Sequence, residues 1–271
     1  MELTPKHLES FQQKILDWYK TNKRSLPWRQ TRDPYRILIS EVMSQQTQLS
    51  RVVPKYEAWL TRFPTVEDLA KAPISEVLRY WSGLGYNRRA LNLQKAAQKI
   101  VSDYHGQFPT TVDELLKLPG LGKYTASAVA CFAFNLQIPV IDTNIRKVIA
   151  HEFFNGVLPD EKILEKVAFK ILPEGKAYEW NQALMDYSAI AMKDKKIPVP
   201  KQSHFLSSNR YYRGQTIKLL LNVKHISFSG LLDYFAERNP IESGRLEMIL
   251  SAMAKDGLII YVEGTISLPE V

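Results

Sequence analysis

Apolar positions recur at helical spacing through most of the first 190 residues, and proline, glycine or capping residues punctuate the runs. Thr4-Pro5 opens the first helix with a cap and a proline in its first turn, and Phe11, Ile15, Leu16, Trp18 and Tyr19 supply its apolar stripe. Asn22-Lys23-Arg24-Ser25 ends it, and Leu26-Pro27-Trp28-Arg29 is expected to follow as an extended segment. Asp33-Pro34 starts a second helix running to Gln46, mostly buried because Ile37, Leu38 and Val42 recur at helical spacing. Phe63-Pro64-Thr65-Val66-Glu67-Asp68-Leu69 marks another helix start, echoed at Phe108-Pro109-Thr110, and an amphipathic helix spans Ala90 to Tyr104. A short helix is predicted over Thr111 to Leu118, with Thr111-Val112-Asp113-Glu114 as a capping box. A more apolar one covers Tyr124 to Phe134, and a later one contains Trp180 to Ala189.

The pattern changes after Lys193-Asp194-Lys195-Lys196-Ile197-Pro198-Val199-Pro200-Lys201, a charged, proline-spaced linker. Beyond it, three short helices (Asn209–Leu221, Phe228–Arg238 and Glu242–Lys255) precede an alternating hairpin that turns at Glu263-Gly264. Three helices and then a hairpin is winged-helix order. The expected organisation is therefore a main helical domain over residues 1–200 and a small winged-helix-like module over residues 205–271.

Charge narrows the partner. The chain of 271 residues has a net charge of +8, yet from Phe205 onward seven Lys/Arg balance seven Asp/Glu. The whole excess lies in residues 1–204, the electrostatic footprint of a nucleic-acid binder. No run of about 18 apolar residues is present, so no membrane span is expected. Met1–Lys6 lacks the apolar region of a signal peptide, and a cytoplasmic, nucleoid-associated monomer is expected. Cys131 is the only cysteine, which excludes an intramolecular disulfide and any cysteine-only metal cage. Its neighbours Ala130, Phe132 and Ala133 mark it as a small buried hydrophobe.

Against this background Leu118-Pro119-Gly120-Leu121-Gly122-Lys123-Tyr124-Thr125 stands out. Pro119 stops one helix, Gly120 and Gly122 are expected to turn the backbone where side chains would clash, and a second helix leaves the turn. A Gly-bounded hairpin at a helix N-terminus offers backbone N–H groups to an anion, and in a basic chain that anion is a nucleic-acid phosphate. An ordinary helix-packing corner accounts for the stretch equally well. Gly83-Leu84-Gly85-Tyr86-Asn87-Arg88-Arg89 is a second such turn. It reads either as a helix link with a solvated arginine pair, or as an aromatic placed to stack on or wedge between bases.

Most helical glutamates are solvated, but Glu41 lies among Ile39, Val42 and Met43, where partial desolvation would raise its pKa. Gln45-Gln46-Thr47-Gln48 offers amide donors and acceptors without repelling phosphate. Asp142, after the apolar run Ile138–Ile141, reads as an N-cap held rigidly at a helix N-terminus, which is expected to keep it ionised. Trp28 with Arg29 is either a core anchor beside a surface cation or a stacking pair lining a pocket.

Together these stretches resemble the helix-hairpin-helix DNA glycosylases, specifically the adenine DNA glycosylases of the MutY type. The resemblance runs from about Arg24 to Ala191 and rests on Leu26–Arg29, Ser40–Met43 with Gln45–Gln48, Gly83–Tyr86, Leu118–Gly122 and Asp142–Asn144. It implies a mainly α, two-lobed helix-hairpin-helix fold. It also implies a base-excision-repair enzyme that flips a mispaired adenine out of double-stranded DNA, opposite 8-oxoguanine or guanine. By matching positions, Glu41 would protonate adenine N7, Asp142 would stabilise the cationic sugar and Asn144 would help position the groups. Trp28, Arg29 and Gln182 match positions around the flipped base, and Gln46 and Tyr86 match residues that fill or wedge the opened stack. Gln45, Thr47, Gly83, Gly85, Arg88, Leu118, Gly120, Gly122, Lys123 and Thr125 complete the expected DNA-binding set, with the hairpin a candidate site for a structural monovalent cation.

Relatives that also cut the strand resemble endonuclease III and carry a lysine where this chain has Tyr124. A phenol forms no Schiff base, and Lys123 should point elsewhere, so the expected enzyme is monofunctional and leaves an abasic site. Three departures from the family pattern are expected. Ile190–Lys196 holds no cysteine for the usual iron–sulfur cluster, so no cofactor and no metal are expected. Ser44 replaces the usual apolar residue. The usual 8-oxoguanine-recognising domain is expected to be replaced by the winged-helix-like module, which leaves the required opposite base open. The alternatives are a thymine or uracil mismatch glycosylase, sharing Gly122-Lys123-Tyr124-Thr125, and a non-catalytic DNA-binding or regulatory protein.

Overall fold

A computed structural model of the chain describes residues 4–198 and 204–269. Helix α1 (Pro5–Asn22) is capped by Thr4, whose hydroxyl accepts from the His7 amide. Pro27–Gln30 forms a 3-10 turn instead of the expected extended segment. Pro27 presets the helical φ, and the Arg29 amide closes the turn on the Leu26 carbonyl at 3.0 Å. Helix α2 (Pro34–Ser44) starts on Asp33, whose carboxylate accepts from the Tyr35 amide at 2.8 Å. It ends two residues earlier than expected, and Gln46 beyond it adopts a left-handed φ of 53°.

Helices α3 (Leu49–Arg62), α4 (Val66–Lys71), α5 (Ile74–Trp81) and α6 (Arg88–Tyr104) follow, α4 beginning on a complete Thr65–Asp68 capping box. The predicted helix over Thr111–Leu118 contracts to one turn, α7 (Val112–Leu115). Thr111 accepts from the Glu114 amide as expected, but the Glu114 carboxylate accepts from the Thr111 hydroxyl. Helix α8 (Lys123–Phe134) is apolar on nearly every face and is almost entirely buried from Thr125 to Phe132. Helices α9 (Thr143–Phe153), α10 (Glu161–Lys170) and α11 (Ala177–Ile190) complete this part of the chain.

The C-terminal module contains α12 (Asn209–Leu220), β1 (His225–Ser227), α13 (Phe228–Ala236), α14 (Ser243–Lys255), β2 (Ile260–Val262) and β3 (Thr265–Ser267). Its antiparallel sheet has the order β1-β3-β2, with His225 and Ile260 both opposite Ser267. The three helices and the β2–β3 hairpin fall where the hydropathy pattern predicts them, and β1 is a strand that it did not predict. At three residues β1 is too short to show alternation, and its pairing comes entirely from β3. The linker reading is described only as far as Pro198, its remainder lying outside the described residues.

The chain forms two compact units, one of residues 1–41, 109–117 and 121–200, the other of residues 42–108, 118–120 and 201–271. In the first, Phe11 sits edge-on to Phe153 and Trp180 at ring separations of 5.0 and 5.6 Å. In the second, Trp59 packs edge-on to Phe63 and Trp81, and the C-terminal module has its own centre in Tyr212 and Phe235. Within that unit Arg79 of α5 donates to the Leu221 carbonyl after α12, tying the module to the helices.

Candidate active site

Three helices of the first unit bring carboxylates and a phenol together. Glu41 lies on α2, Tyr124 in the first turn of α8 and Asp142 at the cap of α9. The Tyr124 hydroxyl donates to Glu41 Oε2 at 2.6 Å. Burial is the main effect on Glu41, pushing its pKa up to about 7; Asp142 reinforces the rise, while Tyr124 and Arg29 oppose it. Burial and then the negative charges of Glu41 and Asp142 push the Tyr124 phenol well above its ordinary value, so it remains a donor. Glu41 is therefore close to half-protonated at neutral pH and can deliver a proton.

Asp142 caps α9 as the sequence predicts, Oδ1 accepting from the Ile145 amide at 2.7 Å and Oδ2 from Asn144 Nδ2 at 2.7 Å. The helix N-terminus is not the dominant influence on its carboxyl. Burial outweighs those hydrogen bonds and moves the Asp142 pKa upward. The donors limit a desolvation cost that the sequence does not reveal. Asn144 is held from behind by Ser188 of α11, whose hydroxyl donates to Asn144 Oδ1 at 3.2 Å. Lys147 of α9 in turn donates to the Ser188 and Met192 carbonyls. Sequence reasoning passed over Ser188 because a helical serine carries no signal of its own.

Trp28 is buried, as is Gln182. Arg29 is not the surface cation of the simpler reading. Its guanidinium makes a bidentate pair with the buried Asp186 of α11 at 2.6 and 2.7 Å, and Arg24 adds a third charged contact at 2.5 Å. Burial alone would raise the Asp186 pKa, but Arg29 and Arg24 outweigh it and hold the carboxyl below its usual range. Asp186 was not singled out from the sequence; only the fold reveals that an acidic residue on a buried helix face meets two arginines about 160 positions away.

The second unit presents the other set of predicted residues. Gly83, Gly85 and Tyr86 all have positive φ, at 94°, 71° and 49°, and Tyr86 is 43% exposed. Arg89 is not half of a solvated pair. It donates to the carbonyls of Val42 (2.6 Å), Gln45 (2.8 Å), Leu84 (3.0 Å) and Gly85 (3.1 Å), and burial pushes its pKa down to about 10. Through that one guanidinium the Gln45–Thr47 segment and the Gly83–Tyr86 turn are fixed to each other. Arg88 is exposed and pairs with Asp256 at 3.3 Å.

In the hairpin the two glycines differ. Gly120 has φ +80°, and a Cβ there would lie 2.5 Å from the Asn92 Cβ, so only glycine fits. Gly122 contradicts the expectation of a clash: it caps α8 with φ −91°, and a Cβ would meet nothing within 4 Å. Leu118 and Thr125 are buried, whereas Lys123 is exposed and pairs with Glu165 at 2.5 Å, away from Glu41. Gly122 thus has open space where a side chain would stand. A four-thiolate cluster has no ligands in this chain, and in the segment Ile190–Lys196, where one would be sought, Lys147 holds the Met192 carbonyl. Among the described residues no group of three or more His, Cys, Asp or Glu could hold a metal ion, and no helix is long and apolar enough to cross a membrane.

Residues 39–174 match the HhH-GPD superfamily of base excision DNA repair proteins, and the chain belongs to that superfamily. Within it, the chain is 43% identical over 178 residues to the adenine DNA glycosylase of Mycolicibacterium smegmatis, covering 65% of this chain and 61% of that protein. It is 36% identical over 193 residues to the human adenine DNA glycosylase, covering 66% of this chain and 35% of that one. The chain thus spans about half the length of the curated relatives it matches, 52% in the case of the Buchnera aphidicola (strain Bp) adenine DNA glycosylase. Among solved structures, a thermostable thymine-DNA glycosylase aligns with a TM-score of 0.63 at 35% identity, over 70% of this chain and 89% of that one. An endonuclease III trapped on DNA shares the fold, with a TM-score of 0.60 at 24% identity over 69% and 86% of the two chains.

Proposed function

We propose that this chain is a monofunctional adenine DNA glycosylase that hydrolyses the N-glycosidic bond of a mispaired adenine and leaves an abasic site. The observation that carries the reading is the Glu41–Tyr124 pair: a carboxyl near pKa 7, hydrogen-bonded at 2.6 Å to a phenol. Purine departure requires a proton on the leaving base, and a carboxylic acid with a pKa near the working pH is suited to supply it. Glu41 protonates adenine N7, the glycosidic bond lengthens, and positive charge develops on the sugar. Asp142, oriented by Ile145 and Asn144, stabilises that charge, and ionised Glu41 then takes a proton from the attacking water. Trp28, Arg29 and Gln182 bound the adenine site, where Arg29 is rigid because Asp186 holds both arms of its guanidinium.

Double-stranded DNA is the partner. The Gly120–Thr125 hairpin clamps a phosphate through amides at the start of α8, Gln46 and Tyr86 occupy the gap left by the flipped base, and the basic residues supply non-specific attraction. Tyr124 contains no amine, so strand cleavage through a Schiff base is not part of the reaction. The 35% identity to a thymine-DNA glycosylase supports a second reading, in which a mismatched thymine or uracil is removed instead.

Both readings are tested by incubating the protein with duplexes that place adenine opposite 8-oxoguanine, adenine opposite guanine, thymine opposite guanine and uracil opposite guanine. Breaks that appear only after alkali, and only in the adenine duplexes, are expected. Breaks in the thymine or uracil duplex alone would replace the proposal by the second reading. No break in any duplex would leave a DNA-binding protein without this activity.

A further inference from the structure

Tyr86 is an exposed aromatic held by arginines from two directions. Its ring centroid lies 5.6 Å from the Arg89 guanidinium carbon and 5.8 Å from that of Arg210. Arg210 also donates to the Tyr86 hydroxyl at 2.9 Å. Arg89 lies in the first turn of α6 and is fixed to the Leu84 and Gly85 carbonyls, while Trp81 Nε1 donates to the Gly85 carbonyl at 2.9 Å. Arg210 belongs to the first turn of α12, in the C-terminal module. A second link lies beside it: Asp256, after α14, pairs with Arg88 at the start of α6 and with Arg213 of α12. The module, formally neutral as a whole, therefore places two of its arginines next to this turn, and one aspartate serves both Arg88 and Arg213.

We infer that the C-terminal module is part of the DNA-contacting surface, with Arg210 positioning Tyr86 and entering the duplex groove alongside it. The inference rests on the proposed role of Tyr86 as a wedge. The minor groove is only about 6 Å wide and the major groove about 12 Å. A guanidinium at hydrogen-bond distance from the tip of a tyrosine that enters either groove lies inside the groove or against its phosphates. Either location favours a cation, and arginine in a narrow minor groove is stabilised by the enhanced negative potential there. A protein partner is a poorer fit, because the exposed ring is flanked by excess positive charge and the turn bearing it is already rigid. The hydrogen bond also limits the orientations of the Tyr86 ring before DNA arrives, so less ordering is left for the binding step.

The test uses the full chain and a duplex carrying an uncleavable abasic-site analogue, so no base excision is required. Arg210→Gln is expected to weaken binding by on the order of ten-fold and to reduce the slope of log affinity against log salt by about one. Arg210→Lys should keep the slope, since the charge remains. Tyr86→Phe keeps the ring but releases Arg210, so the affinity losses of Tyr86→Phe and Arg210→Gln should be less than additive when combined. If Arg210→Gln leaves affinity and slope unchanged while Tyr86→Ala loses binding, the wedge stands and the inference is overturned. If Tyr86→Ala also binds like the parent protein, the wedge reading itself has failed and the inference with it.

Discussion

The Tyr124 hydroxyl donates a 2.6 Å hydrogen bond to Glu41 Oε2, joining residues 83 positions apart. One consequence concerns pH. That bond favours ionised Glu41, whereas burial and the Asp142 charge favour the protonated acid and prevail, giving a pKa of about 7. Under the proposed mechanism, single-turnover excision should decline as pH rises through about 7. Tyr124→Phe removes a donor to the ionised form, so the Glu41 pKa should rise further and the decline should begin at higher pH. A pH–rate profile measures both, and a Tyr124→Phe limb displaced downward would contradict this electrostatic ordering.

Stability carries the same signature with a definite sign. The Glu41 pKa is about 7 in the fold against an ordinary 4.5, so between these values the folded chain binds more protons than the unfolded chain. Stability from this group is therefore present at low pH and lost as pH rises from 4.5 to 7. The loss is on the order of 3 kcal/mol. Glu41→Gln retains an acceptor for Tyr124 without the buried charge. Thermal melts should show the variant more stable than the parent at pH 8, with the difference vanishing toward pH 5, while excision is abolished at both.

Ser188 offers a separable test. Its hydroxyl holds the Asn144 amide so that the Nδ2 group faces Asp142. The charges around Asp142 also include Glu41, Arg146 and Lys147, none of which Ser188→Ala alters. Without the Ser188 donor, Asn144 is less firmly aimed and the Asp142 pKa should rise beyond the increase that burial already causes. Excision by Ser188→Ala should consequently fall off at a higher pH on the acidic side, with little change near pH 8. A uniform loss at every pH would mean that Ser188 only supports packing.

The two hairpin glycines should behave differently. Gly120→Ala meets Asn92 and forces a side chain into a left-handed conformation, so it should destabilise the fold by roughly 1–3 kcal/mol. Gly122→Ala has ordinary φ and open space, so its melting curve should match the parent within about 0.5 kcal/mol. If the start of α8 receives a phosphate, the same substitution should weaken DNA binding several-fold. Unchanged binding would remove Gly122 from the interface.

Local chemistry along the chain was enough to place many of the helices, the caps at Thr4, Thr111 and Asp142, and the three helices and hairpin after residue 204, because capping and periodicity act over a few residues; it did not mark α3, α5 or α10. It also pointed to Glu41, Tyr124 and Asp142 individually. Only the tertiary structure decided their relationships. Burial by surrounding elements outweighs the N-cap donors at Asp142, Asp186 fixes Arg29 across 157 positions, and Arg89 becomes a clamp on five carbonyls. It also showed that Gly120, but not Gly122, is sterically required, since the obstructing Asn92 lies on another helix. Periodicity states which face of a helix is buried; desolvation, ion pairing and steric exclusion depend on what that face is buried against, which contacts between distant segments settle.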